Sequence, residues 1–227
     1  MQILHRDDLK LGGFAGLKEH RLVTDSRLFG GYKSPAAWNG IGSFVYLADA
    51  RFLPKGETRM HDHREIDVIS VMVEGRIAHE GSLEHGQLLE NQQVQVQRAG
   101  GEGFSHNEIN PDDRENRMIQ LWFLPEIASQ PAGYKLYTAE VGGLTRVYGG
   151  NTDQEETFAS NTLVDSGVIP AGRTVSLSGE FISYLTIGSG ILNGQLVRDG
   201  DLIRDRDLEF KAESSVQLIV IHLSQES

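Results

Sequence analysis

Cysteine is missing from this chain of 227 residues, which removes disulfides, thiolate metal sites and a thiol nucleophile together. Any metal must rest on His, Asp or Glu. Long apolar runs are missing too: nothing approaches the ~18 consecutive apolar residues of a spanning helix, and Met1-Gln2-Ile3-Leu4-His5-Arg6-Asp7-Asp8 turns polar before a signal core could form. The expectation is a soluble cytoplasmic protein with no membrane partner. Basic clusters are scarce as well, and the formal charge of −11 repels phosphate backbones, so direct nucleic-acid binding is disfavoured.

What is abundant is glycine, at 26 residues, set between short apolar runs. That pattern predicts many short strands joined by tight turns, an all-β chain long enough for two domains. Residues 1–40 are broken by Gly12-Gly13, Gly30-Gly31 and Pro35 and read as a short strand or two and a loop. From residue 43 onwards the strands are clearer: Ser43 to Ala48, Ile66 to Val73 closed by Gly75, Arg76 to Glu80, and Met118 to Leu124. Val94-Gln95-Val96-Gln97 alternates apolar with polar and reads as a half-exposed antiparallel strand, its glutamines a solvated face. Asn110 to Asn116 reads as a solvent loop, and the run from Pro125 to Gly133 as a domain boundary near residue 130.

The second half repeats the grammar of the first. Pro54-Lys55-Gly56 and Pro170-Ala171-Gly172 lie 116 residues apart, and the glycines closing the following strands lie 113 to 115 apart. Such an offset suggests two copies of one β unit, residues 1–130 and 131–227. Between Gly172 and Gly190 the second copy holds no histidine, where the first copy holds His61 and His63.

Those two histidines are half of the candidate site. Residues two apart on a strand share a face, so His61 and His63 project together, and so do His106 and Glu108. If the two strands are neighbours, three imidazoles and one carboxylate converge, a set that suits Fe, Mn, Ni, Co, Cu or Zn and leaves a position free for another ligand. Either pair alone is as readily a surface pair; the two together point to a metal. His79 reads as a plain strand position with some claim to flank the cavity, and His5, His20, His85 and His222 lack a partner at a useful spacing. Asp67 shares the parity of the two histidines and reads equally as a carboxylate orienting an imidazole or as an outward ion pair.

At these residues the chain resembles the pirin family of the cupin superfamily. The resemblance runs over about residues 54–126: His61-Asp62-His63-Arg64, Ala99-Gly100-Gly101-Glu102-Gly103, His106-Asn107-Glu108 and Gln120-Leu121-Trp122, in the family's order and spacing. Asp62 stands where pirins usually have Pro, and the aromatic N-terminal segment is reduced to Phe29-Gly30-Gly31-Tyr32. The resemblance implies a bicupin, two antiparallel jelly-roll domains, with one divalent metal in the first held by His61, His63, His106 and Glu108 and a degenerate second domain. It also implies a quercetin 2,3-dioxygenase-type ring opening in which Glu108 accepts the proton of a flavonol hydroxyl and O₂ is the co-substrate. The alternative it leaves open is a metal-bearing regulatory protein that binds a protein partner and turns nothing over.

Overall fold

The β-branched runs do become strands, and nearly all of them pair antiparallel. A computed structural model gives the fold and describes residues 1–224. Two compact units emerge, one of residues 9–39 with 43–138 and the other of residues 1–8, 40–42 and 139–227. This partition differs from a single cut near residue 130 at both ends. Gly133–Thr138 continues the first unit because it pairs along its whole length with Gln93–Arg98. Gln2–His5 instead pairs with Asp201–Ala212, so the first strand of the chain belongs to the unit formed by its last third.

In the first unit a seven-stranded sheet runs in the order Gly133–Thr138, Gln93–Arg98, Asp67–Glu74, Arg117–Phe123, Phe44–Phe52, Leu17–Thr24 and Gly12–Phe14. A four-stranded sheet runs in the order His61–His63, Phe104–Ile109, Arg76–Gly81 and Leu88–Glu90. Neither sheet closes into a barrel; both are antiparallel, as in a jelly-roll. The core is built by the predicted alternation, with Leu17, Phe52, Met72, Ile77, Leu89 and Met118 packed together at 7% exposure or less. The Asn110–Asn116 segment is more than a solvent loop. Asn110 is fully buried and donates to the carbonyls of Leu53, at 3.0 Å, and Arg114, at 2.7 Å, satisfying backbone acceptors that no strand reaches.

The other unit holds a nine-stranded sheet centred on Thr174–Ile187, flanked by Asp201–Ala212 and Val216–Leu223. Its interior is apolar, formed by Phe181, Leu185, Phe210, Val216 and Val220 among others. The repeat seen in the sequence has a backbone counterpart: Gly75 and Gly188, which close equivalent strands, both sit in the left-handed region, at φ +79° and +85°. Side chains are strained there, which is why glycine stands at both turns.

Candidate metal centre

His61–His63 lies antiparallel to Phe104–Ile109, with His106 opposite His61 and Phe104 opposite His63. Strand parity then puts three imidazoles on one face, and one ring nitrogen from each of His61, His63 and His106 lies within 4.8 Å of the others. Among the described residues no other group of three such side chains comes together. Nε2 of His61 and Nε2 of His106 are 3.0 Å apart.

Three observations show that this cluster fits a metal. The first is tautomeric. Nδ1 of His61 lies 2.9 Å from the carbonyl of Arg59, which can only accept, so the proton sits on Nδ1 and the Nε2 lone pair faces the cluster. The second is an orphan: Nε2 of His63 is buried without a hydrogen-bond partner. A buried imidazole nitrogen left bare is costly unless something else fills its coordination. The third is charge. Burial, reinforced by the neighbouring imidazoles, lowers the pKa of His63 to about 4 and that of His106 to about 2, so both are neutral and carry the lone pairs a metal requires.

Glu108 lines the same cavity as His61 and His63, but its carboxylate falls outside the three-imidazole group. It is fully buried, and its oxygens accept from Ser70 Oγ at 3.0 Å and Gln120 Nε2 at 3.1 Å. Burial raises its pKa to about 7, against the opposing pull of those two donors. Gln120 in turn accepts from the Trp122 indole at 3.1 Å, so one side chain ties the carboxylate to an aromatic wall.

The glutamines of the Gln93–Arg98 strand are not a solvated face. Gln95 and Gln97 are fully buried, and the Gln95 amide lies 3.4 Å from Glu108 and 3.3 Å from Gln97. Gln97 in turn meets Nε2 of His79 at 3.0 Å. His79 is fully buried opposite Glu108, its ring 5.6 Å from that of His106. The strand reads as amphipathic by composition, but both of its faces are covered. Glutamine at alternate positions beside a histidine-bearing strand was the available signal.

A cavity of about 140 Å³ opens beside the imidazoles. Its far side comes from Glu19 and Arg21, which the sequence left unread, together with Phe29 and, on the next strand, Tyr46. Phe29 stacks on Tyr46 at 5.7 Å and Tyr46 on Trp122 at 4.3 Å. The reduced aromatic segment thus still contributes its Phe29 to the wall.

Fold and site define an antiparallel β unit that carries a histidine cluster, and the comparisons find the same fold among known proteins. The Pirin family model matches residues 30–123, the stretch that carries the histidine cluster. It is 34% identical over 77 residues to a Zymomonas mobilis protein provisionally named a quercetin 2,3-dioxygenase, covering 34% of this chain and 32% of that protein. It is 28% identical over 67 residues to the quercetin 2,3-dioxygenase of Escherichia coli K12, covering 29% of each. The chain thus matches about a third of the length of these curated relatives. Among solved structures, the bacterial pirin YhhW of Escherichia coli in complex with nickel(II) superposes with a TM-score of 0.83, at 16% identity and 99% coverage of both chains. A quercetin 2,3-dioxygenase from Acinetobacter baumannii gives 0.68 at 16% identity, over 99% of this chain and 86% of that one. No helix of the described residues is long and apolar enough to cross a membrane.

Proposed function

We propose that this protein is a metal-dependent dioxygenase of the quercetin 2,3-dioxygenase type, with His61, His63 and His106 holding one divalent transition metal. The observation that carries this reading is the cluster of three imidazoles, those of His63 and His106 buried, opening onto an aromatic-walled cavity that also contains Glu108. Any of Fe, Mn, Ni, Co, Cu or Zn suits such a nitrogen-rich set, and the metal would supply Lewis-acid and redox chemistry beside the cavity. Glu108 can join as a fourth ligand by giving up one of its present hydrogen bonds.

The chain's own residues divide the remaining work. Tyr46 and Trp122 present ring faces that orient an aromatic substrate. Glu108, with its pKa raised to about 7, accepts the proton of a substrate hydroxyl near neutral pH. Ser70 and Gln120 hold that carboxylate in place and favour its ionised form. Dioxygenation places both atoms of O₂ in the organic product, so no separate reductant is required.

Reconstitution with each metal in turn, followed by quercetin absorbance and O₂ uptake, tests the proposal. Consumption of the flavonol with matching O₂ uptake for at least one metal is expected. Failure with every metal would overturn the dioxygenase reading in favour of a metal-bearing regulatory protein.

A further inference from the structure

We infer that His79 is a positioning residue for the base: through Gln97 and Gln95 it fixes the orientation of the Glu108 carboxylate. This rests on the reading of Glu108 as the base of the site. Four fully buried side chains from two sheets make the path. Gln95 and Gln97 share one face of Gln93–Arg98, whereas His79 and Glu108 stand opposite one another on the paired strands Arg76–Gly81 and Phe104–Ile109. The amide nitrogen of Gln95 lies 3.4 Å from Glu108 Oε1 and 3.3 Å from Gln97 Oε1, and that of Gln97 lies 3.0 Å from His79 Nε2.

One polarity satisfies this path. A carboxylate accepts and cannot donate, so Gln95 turns its NH₂ towards Glu108. The same NH₂ reaches Gln97, which therefore presents its carbonyl oxygen there and its own NH₂ to His79. Nε2 of His79 must then be the acceptor, with the ring proton on Nδ1, and Nδ1 lies 3.4 Å from the carbonyl of Glu84. The other side of Gln95 agrees, because its Oε1 accepts the Tyr134 hydroxyl at 3.3 Å. A reversed Gln95 would set oxygen against oxygen at Glu108.

The two ends of the path decide what it does. Gln95, Ser70 and Gln120 stand in one row across three neighbouring strands, and all three donate to Glu108. Oε1 receives Ser70 and Gln95, which occupy both of its lone pairs, while Oε2 receives Gln120 and keeps one. The acceptor left for a substrate proton is therefore on Oε2. At the other end His79 is itself held, its backbone N–H donating to Gln87 at 2.8 Å and its carbonyl accepting from Gly86 at 2.9 Å. The bonds made by Gln95 are long and individually weak. A fixed terminal acceptor is what keeps Gln97, and through it Gln95, from reversing.

Crystal structures of the full-length metal-free protein, with quercetin kinetics of the metal-loaded protein, test this in His79→Phe, His79→Gln, Gln97→Met and the double variant His79→Phe/Gln97→Met. His79→Phe keeps a ring and loses the acceptor, so the Glu108 carboxylate should leave its contact with Gln95 in the crystal. It should lower kcat about tenfold or more, the scale for groups that orient a functional side chain, with KM and metal content unchanged. Gln97→Met interrupts the same path without touching the histidine and should give the same result, including where His79→Phe fails to fold. His79→Gln offers an amide oxygen where Nε2 accepts and should restore most of kcat. The double variant should lose no more than either single one, because both cut one path. A Glu108 carboxylate unmoved in His79→Phe and Gln97→Met, additive losses, or His79→Gln as slow as His79→Phe would overturn the inference. Absence of flavonol turnover by the wild-type protein with every metal would instead remove the dioxygenase reading, and the crystal structures would still decide on His79. Wild-type turnover with a carboxylate indifferent to both variants would do the reverse.

Discussion

Nε2 of His61 and Nε2 of His106 face one another at 3.0 Å across an antiparallel pair of strands, although 45 residues separate them in the chain. Two nitrogens about 2.1 Å from one ion, at right angles around it, stand about this far apart. Without an ion the pair is held by one shared proton at most.

Metal should therefore stabilise the protein. At free metal of about 100 times Kd the gain is about 2.7 kcal/mol, which for a chain of this size is a rise in Tm of about 5–10 °C. Thermal scans with and without nickel measure it. His61→Ala and His106→Ala should abolish both the rise and the bound metal, and unchanged stoichiometry in either variant would remove the site.

Acid should destabilise the metal-free protein. His63 and His106 stay neutral in the fold, with pKa values lowered to about 4 and about 2, while the unfolded chain protonates both near 6.5. The unfolded state thus binds more protons, and stability falls as pH drops below about 6.5. Glu108 acts in the opposite sense: its pKa, raised from 4.5 to about 7, keeps a proton on the folded form across that window. Two histidines against one glutamate leave a net loss of about one proton's worth, about 1.4 kcal/mol per pH unit, between about pH 6.5 and 4.5. Urea denaturation at several pH values reads the slope, and a flat profile would refute the assignment of neutral imidazoles.

Gly81 lies against the strand that carries His106. A Cβ at this position would stand 2.2 Å from the Ser105 carbonyl oxygen and 3.0 Å from the His106 Cα. Gly81→Ala must push the two strands apart, so metal affinity should drop about tenfold or more, within the range seen when groups supporting a ligand are altered. Metal titration checks this, and unchanged affinity would show that the ligand strand tolerates displacement.

Asp49 and Arg117 form a buried ion pair within the seven-stranded sheet, Nε to Oδ1 at 2.9 Å, with exposures of 0% and 5%. Arg117→Ala leaves Asp49 with the more distant, half-exposed Arg51 at 3.3 Å. The expected loss is about 3 kcal/mol, the scale of breaking a buried pair from one side. Chemical denaturation measures it.

Gln120→Leu removes a donor that favours the ionised form of Glu108. The carboxyl pKa should rise, and the acid limb of kcat/KM should move to higher pH, while metal content stays constant. A pH–rate profile that does not move would deny Glu108 the role of base.

Much of the fold was legible because it depends on local patterns. Apolar runs closed by glycine gave the strands, and the 116-residue offset of the Pro-x-Gly turns gave the doubling. The histidines were legible because period-two spacing fixes a shared face whatever the partner strand. Gln95, Gln97 and Glu19 were not, since an alternating polar residue looks the same whether its face meets water or another sheet. Glu19 and Arg21 lay in a stretch whose glycines mask any period. Only its pairing with Phe44–Phe52 brings it over the site.

By itself the sequence determined the all-β class, the doubled plan and the three imidazoles, because strand periodicity is a property of neighbouring residues. Tertiary structure decided the rest. It placed Gln2–His5 in the sheet of the last third, set Glu108 among Ser70, Gln95 and Gln120 rather than within the imidazole cluster, and fixed a cavity of about 140 Å³. Partner choice, burial and volume depend on strands far apart in the chain, and no local pattern encodes which of them meet.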